Sequence, residues 1–248
     1  MRLLSSLSVL CLAYNEEENL RWAIPQLLSI CSELAGDFEI VVVAHSRSTD
    51  GTVAYLEEAC KTEPRIRTVF QPANVRGYGP AFAHGLKHLT GEFAFHTDID
   101  GQFLFEDLFR AAKILVETGA DLIHFNRRRR KDPLERKIIG LGFKLLVHSL
   151  YRCPVWDFDS AFNLFRTSLL EGLELESDSG MAVPEFMIRA GRKKAKIITG
   201  WTEHQPRRAG KPVWEIRTAA PIILPDAGIV KANLCDLWRL RRSLRSRF

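Results

Sequence analysis

The chain has 248 residues, of which 46% are hydrophobic and 26% charged, a composition typical of a globular protein and not of a disordered, collagenous or disulfide-rich one. A chain of this length buries enough apolar surface for a stable core without metals or cross-links. Its five cysteines form an odd set with no C-x-x-C spacing, which predicts reduced, mostly buried thiols and argues against a zinc knuckle.

The distribution of charge is more informative than the net value of +5. Residues 127–137 hold seven Lys or Arg against two acids, and residues 231–248 hold six against one, so the rest of the chain is mildly acidic. Such basic segments indicate either an anionic partner or two solvated faces. A nucleic-acid partner is not expected, because the basic run has no interleaved aromatic residues and belongs to no recognised module.

Five apolar runs in the first half of the chain predict strands at residues 7–13, 39–44, 66–70, 93–97 and 121–125. Helical patterns lie between them at residues 20–31, 53–60, 78–89 and 104–117, and Pro25 is expected to kink or divide the first. This alternation predicts a doubly wound α/β sheet whose strands are joined by right-handed crossovers. Ligands bind such sheets beyond the carboxyl ends of the strands.

The second half is less regular. Helices are predicted at residues 134–150, 184–190 and 228–246, with strands at 161–165 and 195–200 and a polar loop at 204–214. The sequence contains neither a repeat nor a linker long enough to divide it, which predicts a single domain.

Acidic residues follow the first and fourth predicted strands. Asn15 suits a helix N-cap, and Glu16 lies where its side chain could reach a sugar hydroxyl or a base. Asp98 and Asp100 alternate along an extended segment, so both carboxylates can face one cation, and Gly101 allows a sharp turn. Magnesium or manganese held by one or two carboxylates commonly binds a nucleoside diphosphate.

These segments, taken in order, resemble the family 2 glycosyltransferases of the GT-A fold, especially the dolichyl- and polyprenyl-phosphate sugar synthases. The opening S-V-L-C-L-A-Y-N-E-E-E is similar to the family strand ending in P-x-Y-N-E, and S-T-D-G-T at 48–52 to the tail of D-D-G-S-T-D-G-T. Asn74, Gly77, Gly79 and Ala81 roughly match N-x-G-x-G-x-A, and residues 98–102 match D-A-D-G-Q. Residues 157–166 resemble D-x-D-C-A-F-K-L-F-R, and residues 204–211 resemble H-x-P-R-x-x-G-K.

The resemblance implies a Rossmann-like GT-A domain with an open mixed, mainly parallel sheet, and transfer of a sugar from a UDP- or GDP-linked donor with inversion. It implies a divalent metal, Mg²⁺ or Mn²⁺, held by Asp98, Asp100 and Gln102, and an arginine, Arg207, that neutralises the diphosphate leaving group. The implied donor site comprises Tyr14, Asn15, Glu16, His45, Ser46, Arg76, Gly77 and Asp98.

For the acceptor, the resemblance to the polyprenyl-phosphate synthases implies a lipid phosphate held by Arg127 and Arg136. Gly140 stands where a phosphate-binding serine would be expected. A lipid phosphate is ionised at neutral pH and needs little general-base help. Two further readings stay open: Asp157 and Asp159 line the acceptor side, with Asp159 a base for a hydroxyl acceptor, or they cap and orient the basic run after the fifth strand.

The sequence departs from the family pattern after the second strand. His45 and Ser46 replace two aspartates that hold the base and ribose, so either the nucleotide differs or is bound differently, or donor binding is lost and the chain is a non-catalytic scaffold. Leu12 replaces the family proline, and Pro212 stands where a small hydroxyl residue often follows G-K.

The C-terminal segment, residues 227–248, is expected to be a basic amphipathic helix separate from a catalytic domain at 1–226. Val230, Leu234, Leu237, Trp238 and Leu244 are predicted to lie largely on one side. This pattern favours either contact with anionic lipid or a docked helix with a basic tail. No run approaches the length of a membrane span and three glutamates at 16–18 come too early for a signal peptide, so we expect a cytoplasmic protein, with peripheral membrane contact or a membrane partner subunit.

Overall fold

The computed structural model of the chain describes residues 2–72, 77–129, 134–210, 215–217, 223–225 and 227–246. The strands are β1 (Leu4–Ala13), β2 (Ala35–Ala44), β3 (Ile66–Phe70), β4 (Phe93–His96), β5 (Leu122–Arg128), β6 (Asn163–Arg166), β7 (Ile197–Glu203), β8 (Glu215–Arg217) and β9 (Ile223–Pro225). The helices are α1 (Glu17–Leu34), α2 (Thr52–Thr62), α3 (Tyr78–Leu86), α4 (Asp107–Thr118), α5 (Leu134–Tyr151), α6 (Ala182–Arg192) and α7 (Ala227–Ser246). Each predicted helix and strand is present, and β8 and β9 are additional.

Seven strands form one sheet in the order β3-β2-β1-β4-β6-β5-β7. All neighbours are parallel except β6, which runs antiparallel to both β4 and β5. The predicted open, mainly parallel mixed sheet is therefore confirmed. Because β6 is reversed, its first residue, Asn163, pairs with His96, the last residue of β4, and with His124 in β5.

Helices cover both faces of the sheet, as the continuous apolar strands require. One buried cluster joins α1, α2 and α4 to side chains such as Val9, Ile40 and Val42, and the other joins α3, α6 and α7 to Leu10, Val41 and Val43. Alternate residues of β1 and β2 thus point to opposite faces. Cys11, Cys31 and Cys153 are buried free thiols, as predicted, whereas Cys60 is partly buried and Cys235 is exposed.

Helix α1 continues through Pro25 as one element, so the prediction that the proline divides it is wrong. Its inner side buries Leu20, Ala23, Ile24, Leu27, Ile30, Cys31 and Leu34. The side-chain amide of Gln26 also donates to the carbonyl of Trp22 in the same turn (2.9 Å). Packing along the whole inner side outweighs the loss of one backbone hydrogen bond at Pro25.

Helix α7 is docked, and the core covers only part of its predicted apolar side. Leu237, Leu240 and Leu244 are buried, whereas Val230, Leu234 and Trp238 are exposed. Val230, Leu237 and Leu244 recur about every two turns and so lie on one side of the helix, as predicted, but the core buries this side only along the edge that carries Leu237 and Leu244. Within the described part of the chain, no helix has both the length and the apolarity needed to cross a bilayer.

Candidate active site

The carboxyl ends of the parallel strands bring the predicted site residues to one edge of the sheet. At this edge, the loop after β1 is tied to the loop after β2 by hydrogen bonds in both directions. Asn15 Oδ1 accepts from the backbone of Thr49 (2.7 Å), and the backbone N–H of Glu16 donates to Thr52 Oγ1 (2.8 Å). Asn15 is therefore not the N-cap of α1: it has a φ of 55°, and its side chain holds the neighbouring loop.

Arg207 joins the two acidic motifs. Its Nη1 donates to Asp100 Oδ2 at 2.7 Å, and its Nη2 pairs with Glu16 Oε1. The Nε of Arg207 donates to the carbonyl of Ala209 (2.7 Å), which fixes the plane of the guanidinium. Asn19 donates from its amide to Glu16 Oε2 and to the same Ala209 carbonyl (3.2 Å). Burial raises the pKa of Glu16, and the hydrogen bonds from Asn19 and Arg207 oppose that rise.

The loop that carries Arg207 lies directly on the D-x-D segment. The backbone N–H of Gln205 donates to the carbonyl of Gln102 (3.0 Å), and that of Arg208 donates to the carbonyl of Asp100 (2.8 Å). Gly101 makes the predicted turn with a φ of 79°, and a β-carbon there would lie 3.1 Å from Cβ of Arg208. These backbone hydrogen bonds therefore fix the position of the loop that carries Arg207 relative to the D-x-D segment.

Asp98 and Asp100 are close enough to affect each other's ionisation. Burial, together with repulsion from Asp100, raises the pKa of Asp98 to about 7. Burial also raises the pKa of Asp100, which Arg207 opposes. A divalent cation would relieve this repulsion, so the pair fits a metal shared with a diphosphate. Over the described residues, no three His, Cys, Asp or Glu side chains converge as a complete metal-binding set.

The predicted base pocket has a different polarity from a pair of carboxylates. His45 packs edge-on against Tyr14 with ring centroids 5.5 Å apart, and its Nδ1 accepts from the backbone of Arg47 (3.0 Å). The neutral ring therefore carries its proton on Nε2, a donor. Ser46 is exposed beside it, and Arg76 lies outside the described residues.

Gly77 opens α3 with a φ of 114°, and a β-carbon there would come within 2.9 Å of the carbonyl of Asp178. A β-carbon on Gly79 would lie 2.4 Å from the carbonyl of Ser177. These two glycines therefore allow the backbone at 177–178 to approach the start of α3. This contact accounts for both positions without a ligand, and the donor-binding role of Gly77 stays a prediction.

Arg127, the first predicted phosphate contact, is held by Asp157. Its Nε and Nη2 donate to the two oxygens of that carboxylate at 2.8 and 2.9 Å, and its backbone N–H donates to Oδ2 at 3.0 Å. Lys144 from α5 also pairs with Asp157, and all three side chains are buried. Asp157 thus orients Arg127, the first residue of the basic run, and its other predicted role, at the acceptor side, stays a prediction. Arg136 lies in α5, but its side chain is outside the described residues.

Asp159 is exposed in the loop before β6. Its charge and that of Asp98 both raise the pKa of Tyr78, after the larger effect of burial, while Arg127 opposes them. Asp98, Arg127 and Asp159 therefore each lie within electrostatic range of the Tyr78 hydroxyl.

Sequence reasoning missed several residues that the structure brings to this edge: Asn19, Tyr78, His96, Lys144 and Asn163. Tyr78 Oη lies 3.1 Å from His96 Nε2, and His96 Nδ1 lies 3.3 Å from Asn163 Nδ2. A histidine that ends an apolar strand two residues before an aspartate was the available signal for His96. Tyr78 and Asn163 carry no such signal, because their partners are distant in the sequence.

Comparison with known proteins agrees with this geometry. The family model for glycosyl transferase family 2 matches residues 8–173, which is more than half of the chain. Similar proteins include the undecaprenyl-phosphate 4-deoxy-4-formamido-L-arabinose transferases of Photorhabdus laumondii, at 22% identity over 202 residues, and of Enterobacter sp. strain 638, at 28% over 201 residues. The matches cover 82% and 80% of this chain but only 62% and 60% of those relatives.

Among solved structures, one similar fold is glucosyl-3-phosphoglycerate synthase from Mycobacterium tuberculosis, solved with Mn²⁺, UDP and glucosyl-3-phosphoglycerate. Its TM-score is 0.65 at 19% identity, over 84% of this chain and 74% of that one. At this level of sequence identity, the similarity shows a shared fold and nothing further. The family match covers the β1 loop, the D-x-D segment and β6, and the chain belongs to glycosyl transferase family 2.

Proposed function

We propose that this chain transfers a sugar, with inversion, from a UDP- or GDP-linked donor to a polyprenyl phosphate or another lipid-linked acceptor at the cytosolic face of a membrane. The observation that carries the proposal is the position of Arg207, which pairs with Glu16 and Asp100 directly above the D-x-D segment. A nucleotide-sugar donor that binds at this edge would place its diphosphate beside the guanidinium of Arg207 and the carboxylates of Glu16 and Asp100.

The proposed roles concern two groups, the diphosphate of the donor and the phosphate of the acceptor. Asp98 and Asp100, with Gln102 as a further candidate, would hold a divalent metal, which supplies positive charge to the diphosphate as it departs. Arg207 has a planar fork that can leave its carboxylate partners and donate to the same diphosphate. An ionised phosphate acceptor attacks the sugar without first losing a proton, so this reaction needs no general base.

A lipid-linked acceptor is supported by the outward face of α5. Ile138, Leu141 and Leu145 follow the spacing of one helix face, and they are 61%, 48% and 54% exposed. The same helix turns Lys144 inward to Asp157, which holds Arg127 at the end of β5. An apolar surface thus lies on the helix whose buried side supports the predicted phosphate-binding arginine. The undecaprenyl-phosphate relatives favour the same class of acceptor.

A second candidate is a hydroxyl acceptor, which would need a base. Asp159 favours it, because this carboxylate is exposed and its charge reaches Tyr78 at the site. In that case Asp159→Asn would abolish transfer, and lipid would not be required. With a phosphate acceptor, the same variant would retain most of its activity.

The experiment is calorimetric titration of the full chain with UDP and GDP, with Mn²⁺ and again with EDTA, followed by transfer to undecaprenyl phosphate with the sugar conjugate of the nucleotide that binds. We expect metal-dependent binding that Asp100→Asn abolishes. Asp37→Asn is the matched control, because Asp37 is exposed near the start of β2, whereas the candidate site lies beyond the other end of that strand, where His45 follows. If a folded sample binds neither nucleotide, His45 and Ser46 mark a scaffold protein and the proposal fails.

A further inference from the structure

A chain of hydrogen-bonded polar side chains, all buried except the first, runs from the candidate active site into the sheet. It begins at Tyr78 in α3, passes through His96 at the end of β4 and Asn163 at the start of β6, and ends at His124 in β5. His96, Asn163 and His124 are each at most 1% exposed. Burying a polar side chain costs free energy unless it forms hydrogen bonds. Each side chain in this chain has a hydrogen-bond partner, and the donors and acceptors of each residue type give the direction of each bond.

The amide of Asn163 determines the directions. Its Nδ2 lies 3.1 Å from the carbonyl of Ser160, which can only accept, so this end of the amide is the donor. The second proton of Nδ2 points to His96 Nδ1, 3.3 Å away, which must therefore accept. The Oδ1 of Asn163 accepts from His124 Nδ1 at 2.7 Å. An accepting Nδ1 carries no proton, so this geometry makes the ring of His96 neutral.

A neutral His96 that accepts at Nδ1 carries its proton at Nε2. That proton is donated to the hydroxyl oxygen of Tyr78, 3.1 Å away. The hydroxyl proton of Tyr78 must then point away from His96. The tyrosine side chain is 37% exposed, and its hydroxyl lies within electrostatic range of Asp98, Asp159 and Arg127. The relay therefore leaves the hydroxyl of Tyr78 as a hydrogen-bond donor near Asp98, of the predicted metal-binding pair, and near Arg127, the predicted phosphate contact.

We propose that Tyr78 is a further residue of this active site, whose hydroxyl donates a hydrogen bond to the phosphate of the acceptor. This inference rests on the proposed function, because it assumes an acceptor that carries a phosphate. The ring of Tyr78 stacks on Phe82 with centroids 6.4 Å apart, which limits its movement. His96 and Asn163 are positioning residues: they touch no substrate and act only by orienting the hydroxyl.

The test compares direct binding of farnesyl phosphate and farnesol, as a matched pair with and without the phosphate, to wild type, Tyr78→Phe and the control Tyr55→Phe. Tyr55 lies in α2, on the opposite side of the sheet, against Arg21. For Tyr78→Phe we expect the affinity for farnesyl phosphate to fall about 10-fold or more, as for a lost hydrogen bond to a charged group. The affinities for farnesol and for the nucleotide should not change.

The relay has its own pair of variants. His96→Gln keeps an N–H near the position of Nε2 and should retain most of the phosphate affinity, whereas His96→Leu should lose about as much as Tyr78→Phe. Equal farnesyl phosphate affinity in wild type and Tyr78→Phe would overturn the inference and leave the proposed function standing. Loss of nucleotide affinity alone would move Tyr78 to the donor and also overturn it. If wild type binds nucleotide but does not distinguish farnesyl phosphate from farnesol, both the acceptor class and the inference fail.

Discussion

Asp157 shows how much of this site depends on single buried charges. Burial alone would raise its pKa, but the hydrogen bonds and charge of Arg127, with the charge of Lys144, hold the pKa of Asp157 well below its usual range. The carboxylate is almost completely enclosed. Removing its charge would leave two buried cations without their partner, which is costlier than never having built the cluster.

We expect Asp157→Asn to lower the free energy of unfolding at pH 7 by about 3–5 kcal/mol. A carboxylate with a depressed pKa stabilises the fold above its unfolded pKa of about 4, and this stabilisation is lost as the pH falls further. The difference between wild type and variant should therefore be largest above pH 5 and shrink towards pH 3. Urea unfolding at a series of pH values measures it.

Asp37→Asn serves as the control, since an exposed aspartate should change the stability at pH 7 by less than about 0.5 kcal/mol. A deficit in Asp157→Asn that stays constant down to pH 3 would contradict the role of the ionised carboxylate.

At the same scale, the sequence indicated the residues that follow strands but not the contacts between them. Asp98 and Asp100 could be predicted because they are close in the chain and follow an apolar run. Arg207 was suggested only by resemblance, since its partners Asp100 and Glu16 lie 107 and 191 residues away. Tyr78 could not be found, because its role depends on a histidine and an asparagine that only the sheet brings together.

Helix α5 has two sides with different duties. Its buried side places Lys144 and Val147 against the body of the protein, and its outer side exposes Ile138, Leu141 and Leu145. Surface leucines and isoleucines at one helix face are typical of a helix that contacts an apolar partner or a membrane interface.

We expect the triple variant Ile138→Ser, Leu141→Ser, Leu145→Ser to bind liposomes containing phosphatidylglycerol at least about 10-fold more weakly than wild type, because apolar area buried in the interface is lost. Cosedimentation with the liposomes measures the partition coefficient. Val116→Ser is the control: this exposed valine lies on α4, which covers the other face of the sheet. Equal binding by wild type and the triple variant would show that this face of α5 does not contact the membrane.

Elements with a strong apolar pattern were predicted well, and tertiary context decided the rest. The span of β3 was predicted to the residue, because its apolar run is short and flanked by polar residues. The effect of Pro25 was overestimated, since local propensity takes no account of packing along the inner side of α1. The reversed direction of β6 has no signature in a four-residue strand and follows only from its neighbours.

Across the whole molecule, α7 belongs to the same hydrophobic core as α3 and α6. Asp236 in α7 accepts from the backbone of Asp178 (2.9 Å) and Ser179 (2.8 Å). That loop lies against Gly77 and Gly79 at the start of α3. The boundary predicted at residues 226 and 227 thus falls before a helix that packs on the body and supports the loop next to Tyr78.

Two leucines on α7 allow a matched test of this docking. Leu240 is 1% exposed and Leu234 is 38% exposed. We expect Leu240→Ala to lower the free energy of unfolding by about 2–5 kcal/mol, and Leu234→Ala to lower it by less than about 1 kcal/mol. Urea denaturation followed by circular dichroism compares them. Similar losses in both variants would show that α7 does not dock through the face that carries Leu240.

The β4–β6 ladder also marks a boundary in the sheet at which segments of two family members could be joined. Strand β5 pairs with both β6 and β7, and in the described part of the sheet these three strands join the others through the short ladder between β4 and β6. Arg127 and Asp159 lie on the β5–β7 side of this ladder, whereas Tyr14, Glu16 and His45 lie on the other. A chimera that takes residues 122–203 from another family member would exchange the predicted acceptor-side residues as a block and keep the predicted donor-side loops in their native sequence.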